Sequence, residues 1–381
     1  MTAPLSGLRI IELAGIGPGP FAAMMLADHG AEVIRVERPG GVQAGPEISP
    51  YRDILLRSRK RIGLDLKTPE ARTVLFDLIQ KADGLIEGYR PGVMERLGLE
   101  PARLLELNPK LVIGRMTGWG QTGPMAQMAG HDLNYIALSG ALHGVGRKGD
   151  KPVIPLNLFG DFGGGGMLLA FGMLAALTHA RATGQGQVVD AAMTEGVGLL
   201  MAMLQTFRQV GIWRDERGVN LLDGGAHFYD TYETADGKYI AVAAIEPKFY
   251  RKLLEIAGLA DDPAFGDQMN ADSWDSLRAR LTEVFLGRTR EEWDTVFMGT
   301  DACYAPVLSM EEATRHPQAQ ARGSFVAADG VIQPAPAPRY SHSDTVPPRM
   351  WSAATDTTEL LESLGYEQDR INALSAANVI D

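Results

Sequence analysis

His131 and Asp161 stand out among the side chains of this 381-residue chain. The histidine lies in Gly130-His131-Asp132-Leu133-Asn134-Tyr135, and the aspartate opens Asp161-Phe162-Gly163-Gly164-Gly165-Gly166, thirty residues further on. Both segments read as loops running into helices. An imidazole and a carboxyl held on separate elements can face one carbon from opposite sides. Such a pair can remove a proton from one face and return one to the other, if their pKa values suit the task. Gly130 permits close backbone approach, and Asp132 and Asn134 are good helix starters. Backbone N–H groups at that start could stabilise a developing oxyanion. A free aspartate titrates near about 3.9, so an acid at Asp161 must be shifted upward or share its proton within a pair.

Each residue also has a simpler reading. His131 could be a core histidine, and Asp161 could cap the helix that follows it. Glu246, after the apolar run Ile240 to Ile245 and before Pro247, is equally ambiguous. No two of His131, Asp161 and Glu246 sit at i, i+3 or i+4 spacing, which argues against a metal centre.

The elements that must hold these residues follow from the apolar pattern. Leu8 to Leu13, Glu32 to Glu37, Ile62 to Leu66, Leu85 to Glu87, Leu111 to Met116 and Val188 to Ala191 read as strands. Helices are expected over Phe21 to His29 and from Pro69, with Thr68 as cap, through Lys81. This alternation predicts a parallel α/β sheet. Glycine-rich loops fill Thr117 to Gly160, the kind of segment that carries function beside a sheet. Apolar helices are expected at Gly164 to Arg181 and Met193 to Val210. A hairpin signal runs from Tyr229 through Ala235-Asp236-Gly237 to Ile245, and Thr289 with Glu292 forms a capping box. The C-terminal stretch from Thr357 reads as one or two surface helices. The expected division is a large α/β domain over 1–190 completed by 330–381, a connecting helix and linker over 191–224, and a small α+β domain over 225–329.

Composition narrows the function. A net charge of -11 argues against a general nucleic-acid binder. The one cysteine, Cys303, suggests a reducing compartment, and with no export signal at the first residues the expected location is cytoplasmic. Gly163 to Ala180 is long and apolar, but its four leading glycines favour a buried helix over a membrane span. In this acidic chain, Arg35, Arg38, Arg57, Arg59, Lys60, Arg61, Lys67, Arg90 and Arg96 crowd the first hundred residues. Together they suggest a phosphate-bearing ligand at the ends of the strands. Gly15-x-Gly17-x-Gly19, with Glu37 beyond it, resembles a dinucleotide fingerprint, but the third glycine comes early and prolines occupy 18 and 20.

Longer motifs carry a family resemblance over nearly the whole chain. They include Leu13-Ala14-Gly15-Ile16-Gly17-Pro18-Gly19-Pro20, Glu87-Gly88-Tyr89-Arg90-Pro91-Gly92, Thr117-Gly118-Trp119-Gly120-Gln121-Thr122-Gly123-Pro124, Gly184-Gln185-Gly186-Gln187-Val188-Val189-Asp190 and Ile245-Glu246-Pro247. In these the chain resembles the α-methylacyl-CoA racemases, within the family III CoA-transferase superfamily. The resemblance implies a Rossmann-like large domain with a small α+β domain, and an interlocked homodimer whose site joins two subunits. It implies His131 and Asp161 as the acid/base pair, with Asp132 beside them and Asn157 supporting Asp161. Glu246 would orient the histidine from the partner subunit. It also implies coenzyme A contacts at Arg38, Leu64, Asp65, Leu66, Lys67, Gly88, Tyr89, Arg90 and Arg96, with Gly130, His131, Asp132, Leu133, Asn134 and Tyr135 at the thioester. The substrate would be an acyl-CoA, with no flavin, metal or nicotinamide as cofactor. Three rivals stay open: a CoA-transferase using Asp161 as nucleophile, a nicotinamide-linked dehydrogenase and a non-catalytic CoA-binding protein. His131 favours the racemase, and an apolar surface of Met125, Met128, Met193, Met201 and Met203 could face the acyl tail.

Overall fold

The structure, a computed structural model, describes residues 2–40, 52–351 and 355–381. Six parallel strands form the main sheet: β1 (Arg9–Leu13), β2 (Glu32–Glu37), β3 (Arg59–Gly63), β4 (Gly84–Glu87), β5 (Val112–Thr117) and β6 (Gln187–Ala192). Their order is β3-β2-β1-β4-β5-β6, so the winding reverses between β1 and β4. In open sheets of this kind, ligands bind at the carboxyl ends of the strands beside that reversal. The strands are apolar because both faces are covered. One face packs Ile11, Ile34, Ile62, Leu85 and Ile113 against Leu75 and its neighbours on the helix Pro69–Gln80. The other packs Ile10, Val33, Ile86 and Val112 against Leu26, Leu169 and Met173. Thr68 caps the Pro69–Gln80 helix, its Oγ1 accepting the Ala71 N–H at 3.2 Å.

The chain divides into two compact units: Met1–Ser139 with Leu156–Leu200 and Gln320–Asp381, and Gly140–Pro155 with Met201–Ala319. Within the second unit an antiparallel sheet runs β7 (Tyr229–Glu233), β8 (Tyr239–Ala243) and β9 (Tyr304–Pro306). Its core is aromatic, with Phe228, Tyr232, Phe285, Trp293 and Phe297 packed together. The Thr289–Glu292 capping box forms as expected. Segment 140–155, grouped by sequence with the first 190 residues, is bonded inside the second unit. Arg217 donates to the carbonyls of His143 and Asp150, and Arg147 donates to Thr231.

Some sequence expectations change. The C-terminal helices Thr357–Ser363 and Gln368–Ala376 are not surface additions: Leu360, Leu361, Ile371 and Leu374 are buried in the first core. The apolar segment forms a continuous 26-residue helical span, Leu158–Thr183, with only 39% of its most apolar stretch buried. Leu169, Met173 and Leu177 face the core while Met167 and Phe171 stay exposed, so it is buried along one side only. The expected helix Met193 to Val210 is two, Met193–Leu200 and Ala202–Gln209, divided at Met201.

The basic cluster is corrected most. Arg35 and Arg59 both bind Glu12, which is fully buried on β1. Burial alone would raise the Glu12 carboxyl, but Arg59 and Arg35 hold it below its ordinary range. Arg61 pairs with Glu37, and Lys60 with Glu359 and Glu32. Arg57 is 2% exposed and donates to Asp28 Oδ1 at 3.0 Å, Gln333 Oε1 at 2.9 Å and the Pro334 carbonyl at 2.7 Å. It ties the helix Pro18–Asp28 to the hairpin of β10 (Phe325–Ala328) and β11 (Val331–Pro334). These five cations brace the fold and are not free for a ligand.

Removing Arg57 strands a buried carboxylate, which costs about 3–5 kcal/mol when a buried ion pair loses one partner. Arg57→Ala is therefore expected to lower unfolding free energy by about that amount in a urea titration. A loss under about 1 kcal/mol, the range of surface pairs, would show that the tie is not structural.

Candidate active site

β1 ends at Leu13 and the chain turns through Gly15 to Gly17 before the helix Pro18–Asp28. Gly17 is the N-cap with φ +69° and ψ -118°, a backbone conformation that suits glycine. Its Cα faces the Asp161 carboxyl: a Cβ built there would lie 3.5 Å from Asp161 Oδ2. Glu37, the acidic residue of the possible dinucleotide fingerprint, is occupied by Arg61.

Asp161 lies within a π-helical stretch, Leu158–Met167, and not at a helix cap. Such stretches recur at functional sites because the wider turn re-aims side chains. The glycines there are contacts as well as turns. Gly166 approaches Phe21 and Pro18, Gly165 approaches Pro18 and Met193, and Gly164 meets the Val197 backbone of the helix Met193–Leu200. Asp161 is partly buried, and Asn157 Nδ2 donates to its Oδ2 at 3.0 Å. Burial pushes the Asp161 carboxyl above its ordinary range. The Asn157 hydrogen bond opposes this, the Asp132 charge adds to it and His131 opposes it. The direction is the one required of a carboxyl that must hold a proton.

His131 is exposed, so it is not a core histidine. It is the N-cap of the helix Asp132–Leu138, and its own N–H donates to Asn134 Oδ1 at 3.0 Å. The Asn134 and Tyr135 amides return to the His131 carbonyl, leaving those of Asp132 and Leu133 at the open helix end. Asp132 is buried, and its Oδ1 accepts the Asp161 N–H at 2.7 Å. The histidine and aspartate segments are thus joined by a direct hydrogen bond. Tyr135 is buried beneath them, donates to the Gly130 carbonyl and packs edge-on against Trp119, ring centres 4.7 Å apart. Gly118 and Gly130 leave space for that tyrosine ring; a Cβ at Gly130 would come within 2.8 Å of it.

The expected coenzyme positions divide by environment. Arg38, Lys67, Arg90 and Arg96 are exposed, and none forms an ion pair among the described residues. Arg38 follows β2 and acts electrostatically on the Tyr89 hydroxyl; Arg90 follows β4 and acts on Tyr135. Leu64 has its side chain in the core, and its N–H donates to the Glu37 carbonyl. Asp65 Oδ1 accepts the Lys67 N–H at 3.2 Å, shaping the turn through Leu66. Gly88 and Tyr89 follow β4, where sequence reasoning assigned no role to Glu87. That buried carboxylate accepts the Tyr89 N–H at 2.7 Å and Arg115 Nε at 2.7 Å, fixing the loop. Burial raises the Glu87 carboxyl despite the Arg115 and Tyr89 hydrogen bonds. Its signal was an acid at the end of an otherwise apolar strand. Glu246 lies in the second unit, exposed, at the N-cap of the helix Pro247–Ala257 without a side-chain capping bond.

Fold and site together define a doubly wound α/β protein presenting an imidazole and a carboxyl of raised proton affinity beside the carboxyl ends of its parallel strands. The CoA-transferase family III model matches residues 5–356, and the chain belongs to that family. The alpha-methylacyl-CoA racemase of Mus musculus is 44% identical over 99% of this chain and 97% of its own length. The succinyl-CoA:glutarate CoA-transferase of Homo sapiens is 30% identical over 99% of this chain and 90% of its own. Among solved structures, a CAIB/BAIF family protein from Brucella suis superposes with a TM-score of 0.83 at 25% identity, covering 96% of this chain and all of that one.

The raised Asp161 has a thermodynamic consequence. With the folded pKa above the unfolded one, the native state binds more protons, so stability falls as pH rises through that window. Asp161→Asn removes the penalty of a buried ionised carboxyl. The variant is expected to be more stable than the parent at neutral pH, the difference closing as pH falls below the ordinary carboxylate range. Urea titrations at several pH values test this; lower stability of the variant at neutral pH would contradict it.

Proposed function

We propose that this chain inverts C2 of 2-methylacyl-CoA thioesters by 1,1-proton transfer through an enolate. The observation that carries the reading is the hydrogen bond joining the segments of His131 and Asp161. Similarity to a curated racemase over almost the full length supports it.

The C2–H of a thioester is weakly acidic because its carbanion is an enolate. The Asp132 and Leu133 amides, at the start of the Asp132–Leu138 helix, donate to the enolate oxygen. Removing one such donor typically costs about 10²–10³ in rate, which sets the scale of their contribution. Neutral His131 takes the proton from one face and protonated Asp161 delivers one to the other. The reverse reaction exchanges their roles. Raising Asp161 brings its proton affinity towards that of an imidazole, which keeps both transfers feasible. Asn157 holds the aspartate carboxyl in place. Arg38, Lys67, Arg90 and Arg96 supply cations for the coenzyme phosphates, with Gly88 and Tyr89 lining the approach. The proton chemistry calls for no flavin, metal or nicotinamide. We place the enzyme in the cytoplasm as a homodimer in which Glu246 of one subunit orients His131 of the other. The apolar strip of Met167, Phe171 and Leu199, exposed in the single chain, supports such a partner.

Incubation of one enantiomer of a 2-methylacyl-CoA in D2O is expected to place deuterium at C2 and erase optical purity without any acceptor acid. Absence of exchange, together with CoA transfer to a free carboxylate, would instead make Asp161 a nucleophile.

Co-expression tests the shared site. His131→Ala and Glu246→Ala homodimers are each expected to be inactive or strongly impaired. Their mixed dimer carries one intact His131–Glu246 pair if the site spans subunits, so activity returns. No recovery in a purified mixed dimer would assign both residues to one chain.

A further inference from the structure

The Asp132 carboxyl stands in an unusual setting. It is 5% exposed, Oδ1 accepts the Asp161 N–H at 2.7 Å, and Oδ2 is buried with no hydrogen-bond partner among the described residues. A buried, unpaired carboxylate oxygen is costly. Gly160 is pressed against the same group: a Cβ there would overlap Oδ1 and lie 2.8 Å from the carboxyl carbon. The glycine is what lets the carboxylate reach the next residue's amide.

We propose that the Asp132 side chain is a positioning residue, tying the Asp161 backbone to the His131 helix and presenting a buried negative charge beside Asp161. The proposal rests on the racemase reading and assigns a part within it. Asp132 follows His131 directly in the chain, so its tether fixes the separation of both proton-transfer groups. Its charge opposes ionisation of Asp161, which burial already disfavours. The other ionisable groups around Asp161 are His131 and Tyr135, both on the histidine segment. Elements packed on the π-helix carry Asp28 paired with Arg57, Arg115 paired with Glu87 and Glu95, and Asp190 bonded to the Gln121 amide. Glu195, His179 and Arg181 on those elements are exposed. Asp132 is therefore the carboxylate that acts on Asp161.

Two variants separate tether from charge. Asp132→Asn keeps an oxygen for the Asp161 amide and removes the charge. Gly160→Ala keeps every charge and crowds the tether. A proton-transfer pair of this kind works while it shares one proton, and its acid limb marks the second protonation, at Asp161. In Asp132→Asn the acid limb of kcat/KM is expected to move to lower pH, in both directions of the reaction. In Gly160→Ala kcat is expected to fall on the order of 10²-fold, with KM little changed, as misplaced reacting groups predict. Parental enzyme in the same D2O assay is the control: its failure to exchange would overturn the racemase reading itself. With the parent active, an unmoved acid limb in Asp132→Asn or a parental kcat in folded Gly160→Ala overturns the proposal. Gly160→Ala keeps the test open if Asp132→Asn does not fold.

Discussion

The site depends on how closely one glycine-rich backbone can approach two helices. At Gly164 and Gly196 the main chains touch: a Cβ on Gly196 would overlap the Gly164 carbonyl, and one on Gly164 would lie 2.6 Å from the Val197 nitrogen. On the other side Gly165 and Gly166 admit Pro18 and Phe21. No side chain would fit on these glycines, so the π-helix carrying Asp161 is held from two sides. Packed interiors do not deform continuously, and a contact without spare volume fixes position better than one made by flexible side chains. The aspartate is aimed by its neighbours' lack of side chains.

That close packing also sets the chemistry. Because Gly17 and Gly160 carry no Cβ, backbone and carboxylates meet closely around a partly buried Asp161. Desolvation is the leading cause of its raised pKa, ahead of any single charge. Geometry and proton affinity therefore share one origin. Sites of this kind trade stability for function, since a buried ionised carboxyl and an unpaired carboxylate oxygen both cost free energy. The buried Glu12–Arg35–Arg59 cluster shows the alternative, in which two guanidinium groups hold one carboxylate in its ionised form.

Much of this was legible in the sequence. The strand order required apolar runs at βαβ spacing, and those runs were evident because both faces of a parallel sheet are covered. The glycine and histidine motifs placed the loop-to-helix junction at His131 correctly. The arginines misled because sequence shows a cation but not its partner: Glu12, Asp28 and Glu37 lie distant in sequence or hidden within strands. For Leu64, the apolar pattern alone does not tell that its side chain points into the core. The Asp132–Asp161 hydrogen bond was invisible because it joins two loops whose approach depends on tertiary packing. The C-terminal helices looked superficial because their buried residues are few, and only the sheet they cover shows what those residues meet.

The corrected charge inventory sharpens where a phosphate-bearing ligand could be held. The basic residues singled out in the sequence suggested a phosphate-bearing ligand, but Arg35, Arg57, Arg59, Lys60 and Arg61 are matched internally. Arg38, Lys67, Arg90 and Arg96 remain. They follow β2, β3 and β4, beside the reversal of winding and on the same strand ends as the Gly17 turn. In a chain of net charge -11, a few unmatched cations at one edge create a local field that opposes the global one. An anionic ligand would be drawn to that edge rather than spread over the surface. Arg90, which acts electrostatically on Tyr135, links the edge to the histidine segment. Most of the cations that stand out in sequence build the frame, and four remain unmatched at the strand ends.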